Sequence, residues 1–127
     1  MNILLASRKP FDRALADLQY SVAEHGFSVL QVHSLSDTLA SKGHAIDKRV
    51  AVLDVCNASM ASRMLVRDAA ISLALPCRVA VFEVGDGTRL GTIAPTALLA
   101  GFGKHPDLEV AASEVERTLR QILKDAS

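Results

Sequence analysis

The two cysteines, Cys56 and Cys77, are the side chains in this sequence with the widest chemical range. Cys56-Asn57 falls where an aliphatic run, Arg49 to Val55, gives way to a helical pattern. Backbone N–H groups and the helix dipole at such a junction stabilise a thiolate and raise its reactivity. The same position suits a small buried apolar side chain equally well, with Asn57 serving only as a helix cap. Pro76-Cys77 opens the next aliphatic run. If the two runs are neighbouring strands, the thiols come together, and a redox pair, a sulfur carrier or a soft-metal site becomes chemically available. A disulfide would need the Cα atoms within about 7 Å. The alternative is a pair of unrelated core thiols. Their spacing is not C-x-x-C, so neither a zinc ribbon nor a thioredoxin-type motif is indicated.

Glu83 shares an alternating face with Val79 and Val81. Facing inward, it is a buried carboxylate that needs a partner. Facing outward, it is an ordinary charge at a strand end. The four histidines, His25, His33, His44 and His105, show no H-x-H or H-x-x-x-H spacing, and no metal site is expected from them. Gly101-Phe102-Gly103 lacks the strand before it that a phosphate loop requires, and Gly85-Asp86-Gly87 reads as a hairpin turn. No G-x-S-x-G or Walker sequence occurs, and no nucleophile has a visible base. An enzyme with a full catalytic set is therefore disfavoured.

The elements that must position these residues follow from periodicity. Ile3–Ala6 reads as a short buried strand. A helix follows, with Ser7 as its expected cap and Pro10 in its first turn. Its stripe is Phe11, Ala14, Leu15, Leu18 and Val22, and it stops at Gly26. Strands are expected at Phe27–His33, Arg49–Val55, Cys77–Val84 and Thr88–Ile93, with Arg49–Val55 central and buried. A short helix carries Leu35 and Leu39, capped by Ser34 or Ser36. Another runs from Ala58 to about Arg67, with Met60, Met64 and Leu65 inward. Asp68–Leu75 is ambiguous. Pro95 opens a short helix, and a long one runs from Pro106 to about Lys124. One tight hairpin among five strands favours an α+β fold, with helices on one face of a largely antiparallel sheet.

The chain has 127 residues, half of them hydrophobic, enough for one core without disulfides. A single domain over residues 1–127 is expected. Lys plus Arg and Asp plus Glu are both 14, so the basic excess of a nucleic-acid binder is absent. Aromatics at 4% argue against a base-stacking platform. No apolar run approaches a membrane span, and Arg8 and Lys9 follow the first apolar residues where a signal peptide would place charge ahead of them. A cytoplasmic protein is expected.

The order Phe11-Asp12-x-Ala14-x-x-x-Leu18, Glu24-x-Gly26-Phe27, Cys56-Asn57-Ala58, and Leu75-Pro76-Cys77 running into Val79-Ala80-Val81-Phe82-Glu83 resembles the family catalogued as domain of unknown function 302. The resemblance runs from about Phe11 to Leu123. It implies a fold similar to that of the TATA-binding protein, with β-α-β-sheet-α order, often dimeric, and carries no nucleic-acid role. The family's characteristic positions correspond to Cys56, Asn57, Pro76, Cys77 and Glu83. Three positions depart from its pattern: Ala58 in place of proline, Arg78 in place of asparagine, and Ala94 in place of aspartate. The functional expectation is a small binding or interaction module, homodimeric, taking a small-molecule ligand near Cys56, Asn57, Cys77 and Glu83. Thiol redox, sulfur carriage or soft-metal binding is the alternative. The cofactor is left open.

Overall fold

The computed structural model describes residues 2–127. Five strands, β1 (Asn2–Ser7), β2 (Ser28–Ser34), β3 (Val50–Cys56), β4 (Cys77–Val84) and β5 (Gly87–Ile93), form one open sheet in the order β1-β5-β4-β3-β2. All four pairings are antiparallel. The helices are α1 (Phe11–Glu24), α2 (Leu35–Ser41), α3 (Ala58–Arg67), α4 (Pro95–Leu99) and α5 (Pro106–Ala126), with a short 3₁₀ turn over Ala69–Leu73. The expected α+β class, antiparallel sheet and one-sided helices are all present.

Alternation sorts the sheet into two faces. Ile3, Ala51, Leu53, Val55, Val79, Val81 and Leu90 lie on the side covered by α1 and α5 and are buried. The two helices supply Leu18, Val22, Leu119, Ile122 and Leu123, all inaccessible to solvent. Polar ties hold the pair in place: the Ser21 hydroxyl donates to the Ile122 carbonyl at 2.8 Å, and Lys9 Nζ donates to the Ala126 carbonyl at 2.8 Å.

Three local expectations are corrected. Ser7 does not cap α1: it ends β1, and its hydroxyl donates to the Ser127 carbonyl at 2.9 Å while accepting the Lys9 amide at 3.1 Å. Pro10 takes the cap position instead, because the helix starts at Phe11. Leu65 is exposed, because the face of α3 turned to the core is that of Met60 and Met64. β3 is interior in the sheet but buried on alternate residues only, since the second face of the sheet carries no helix. Gly26 does end α1 with a positive φ of 79°, as its left-handed stop requires.

Candidate functional site

Cys56 and Cys77 meet at one end of the sheet. Val55 pairs with Cys77 across β3 and β4, so the end of one strand lies beside the start of the other. Asn57 then caps α3: its Oδ1 accepts the Met60 amide at 3.1 Å. Its Nδ2 donates to the Gly26 carbonyl at 3.4 Å and ties the cap to the turn before β2. The chain leaves α3 through the 3₁₀ turn, where the Asp68 carboxylate accepts the Ala70 amide at 2.9 Å, and returns at Pro76. From the far side α4 closes the end of the sheet. Glu116 of α5 holds α4 there, accepting from the Thr96 hydroxyl at 2.6 Å and the Thr96 amide at 3.3 Å. Those bonds, the hydroxyl's first, hold the Glu116 carboxyl below its usual range.

These elements enclose a cavity of about 40 Å³. Cys56, Cys77, Met60 and Met64 are among its lining residues. Phe27, Leu75, Pro76 and Leu99 complete most of an apolar wall. Asn57 is the one polar amide in the lining, and no charged side chain contributes to it. Met60 and Met64 are one helical turn apart and therefore share a face of α3. The cysteines are free, not bonded to each other. Burial pushes the Cys77 thiol up to about 11, and the nearby Cys56 adds to the effect. Cys77 is thus a neutral thiol at physiological pH.

A second, wider hollow of about 570 Å³ lies on the uncovered face of the sheet. Leu4, Val52, Ala80, Phe82, Gly91 and Ile93 form its floor, with Leu73 and Leu98 at its rim. Ala74, Leu75, Pro76, Cys77, Pro95 and Leu98 line both hollows, so the segment around Cys77 is a shared wall. Gly91 keeps the floor flat. A Cβ there would stand 2.5 Å from Leu4 Cδ2 and 2.7 Å from the Ile3 carbonyl oxygen. Sequence patterning missed this floor because strand alternation marks it as the solvent side. The signal was the residue types: Leu4, Val52, Phe82 and Ile93 are large and apolar where polar residues are usual.

The remaining candidates fall elsewhere. Glu83 stands near the other end of β4, half-buried, with Oε1 accepting the Arg49 amide at 2.7 Å while its own amide donates to the Arg49 carbonyl. Its partner is backbone, and the cavity does not include it. His33 contacts Asp54 at 2.8 Å on the uncovered face, with Arg78 at 3.8 Å from the same carboxylate. His25 contacts Asp125 at 2.8 Å at the end of α1. Among the described residues no group of three or more His, Cys, Asp or Glu side chains is arranged to hold a metal ion. No helix among them is long and apolar enough to cross a membrane.

The family model described as "Domain of unknown function DUF302" matches residues 3–126. A crystal structure of an uncharacterized conserved protein DUF302 from Bacillus stearothermophilus is similar at a TM-score of 0.93 and 25% identity, covering 99% of this chain and 98% of the other. No curated protein matches the chain.

Proposed function

We propose, for a chain that belongs to the DUF302 family, a small-ligand-binding module whose site is the apolar cleft on either side of Cys77. One observation carries this reading: the outer hollow and the sulfur-lined cavity share a continuous wall from Ala74 to Cys77. A hollow of about 570 Å³ is in the size range of small-molecule sites. Its floor is apolar, and Arg78 at its margin offers one charge for orientation. The ligand lies across Leu4, Phe82 and Ile93 and is stopped by Pro76 and Cys77. Raised pKa at Cys77 supports a wall residue and speaks against a resting nucleophile.

Indole tests the reading. It is uncharged, aromatic and small enough for the outer hollow. Saturable shifts in the NMR signals of Phe82 and the Ile93 methyls, absent from those of Leu18 and Leu119, are the expected result. Indole that leaves Phe82 and Ile93 unmoved at saturating concentration overturns it.

Exposure favours a second reading, a homodimer through the same face. Leu4 and Ile93 are 53% and 49% exposed although both are large and apolar. A second copy would roof the hollow and remove them from water. Sedimentation equilibrium across a concentration series checks it: a single monomeric mass throughout sinks the dimer and leaves the ligand site standing.

A further inference from the structure

We infer that the hollow on the uncovered face of the sheet takes a monocarboxylate with an apolar tail, a fatty acid of medium chain length, with its carboxylate on the Arg78 guanidinium and its tail running along β4 and β5 toward Phe82. The inference rests on the reading of the cleft as a binding site and names the ligand class of its outer part.

Strand register lays out the floor. Ala80 pairs with Gly91 on one side and with Val52 on the other, and Gly91 pairs in turn with Leu4. Two small residues thus lie side by side between two larger apolar ones, all on the face that no helix covers. The result is a trough with Leu4 and Val52 as its rails. Arg78 and Phe82 stand two residues to either side of Ala80 on β4, so they share its face and mark the two ends. Four residues of strand separate them, about 13 Å. An extended acyl chain of medium length spans that distance, and an indole ring fills only part of it.

Charge selects the head group. Arg78 is the one charged side chain that lines the hollow. Its Nε lies 3.8 Å from Asp54 Oδ1, an ion pair too long for a hydrogen bond, while the other Asp54 oxygen contacts His33 at 2.8 Å. Among the described residues the Arg78 guanidinium donates no hydrogen bond, so its fork is available to a ligand. A planar guanidinium presents parallel N–H groups that match a carboxylate, and the charge-assisted pair is stronger than a neutral one. One cation balances a monoanion. A phosphate monoester, near −2 at neutral pH, would keep an uncompensated charge. The Thr92 hydroxyl is already given to the Arg78 carbonyl at 2.5 Å, which fixes the strand beneath the guanidinium. Arg89 pairs with Phe82 at the far end, lies outside the lining, and donates to the Thr88 carbonyl at 3.3 Å.

The test is an NMR titration of the full-length chain at neutral pH, read at Phe82 and Ile93, with octanoate and with 1-octanol. Octanoate is expected to bind about tenfold more tightly than the alcohol, the size of one charge-assisted hydrogen-bonded pair. Arg78→Gln brings octanoate down to the affinity of the alcohol and leaves the alcohol where it was. Arg89→Gln leaves the preference intact. The Arg78 side chain is 78% exposed, so its loss disturbs no core contact, and circular dichroism establishes that both variants are folded. Equal affinities for acid and alcohol overturn the proposal. So does a preference that survives Arg78→Gln or vanishes with Arg89→Gln. In each of those cases, shifts caused by the alcohol or by indole leave the cleft reading standing. Sedimentation equilibrium on the same samples reads the other occupant: a dimer closed across this face that shuts octanoate out overturns the proposal. Phe82 and Ile93 unmoved by acid, alcohol and indole alike remove the cleft reading as well.

Discussion

The two faces of this sheet are built from similar residues and end in opposite conditions. On one face Leu53, Val55, Val79, Val81 and Leu90 are sealed by α1 and α5. On the other, Leu4, Val52, Phe82 and Ile93 are equally apolar and have no helix over them. Burial drives folding in proportion to the apolar area removed from water. The covered face therefore carries the stability, and the open face retains apolar surface that folding leaves unused. The cavity at Cys56 and Cys77 sits where the two regions join. The contrast teaches that residue type alone does not mark a core. The helices decide which face becomes one.

The comparison breaks most directly at Leu53. It is fully buried at the centre of the covered face. Leu53→Ala is expected to lower the unfolding free energy by about 2–5 kcal/mol, because the void left behind adds to the lost transfer term. Urea denaturation measures it. A loss no greater than that of an exposed leucine would mean that the helices are not the source of stability.

Gly91→Ala follows in size. Its new Cβ meets the Ile3 backbone oxygen at 2.7 Å, and the carbonyl is not free to rotate away. β1 must shift against β5, at a cost of about 1–3 kcal/mol. The change also lifts Leu4 from the floor of the hollow, so indole affinity should fall alongside the melting temperature.

Most of the covered face was legible from sequence. The stripes Phe11, Ala14, Leu18, Val22 and Leu108, Ala111, Val115, Leu119, Ile122 name it, because helical period and burial coincide there. The extent of α3 from Ala58 to Arg67 was equally legible, since Asn57 supplies the cap chemistry that starts it. Ser7 misled because a hydroxyl near a helix start resembles a cap, while its partners lie at the far C-terminus and are invisible locally. Glu83 was legible as a residue sharing a face with Val79 and Val81, but its partner, the Arg49 amide, depends on strand register. The open-face hollow was not legible. It arises from the placement of the 3₁₀ turn and α4 around the sheet end, and pairwise spacing does not encode that.

The thiols sharpen the boundary between the regions. Native Cys77 should resist iodoacetamide at pH 8 and react at once when the chain is unfolded. Its folded value lies above the ordinary thiol value of 9.0, so the native state holds the proton more tightly than the unfolded one. The corresponding stability is intact below pH 9 and is lost as pH climbs toward about 11. Thermal melts over that range, compared with Cys77→Ala, isolate the contribution. Equal slopes in the two proteins would show that the burial of Cys77 has no energetic consequence.

Asn57 acts on the same boundary more weakly. Asn57→Ala removes the bond to the Met60 amide and the tie to Gly26, with an expected loss of about 1 kcal/mol. Asn57→Asp keeps the acceptor and should recover most of it. If the aspartate variant is no better than alanine, the tie to Gly26 outweighs the cap.

Leu73 is expected to show the smallest effect on stability and the clearest on binding. It is 85% exposed, so Leu73→Ala removes almost no buried area and should change the unfolding free energy by no more than about 0.5 kcal/mol. Yet Leu73 lines the rim of the outer hollow. A ligand lying there covers part of it, and truncation withdraws that contact only in the bound state. Indole affinity should drop severalfold while the denaturation curve stays in place. Leu53→Ala should show the reverse pattern, a large loss of stability with indole affinity unchanged in the fraction that remains folded. If both variants alter stability and binding together, the two faces are one cooperative unit and the separation of roles fails. If Leu73→Ala changes neither, the apolar rim is bare surface, and the ligand must be sought deeper, at the sulfur-lined cavity.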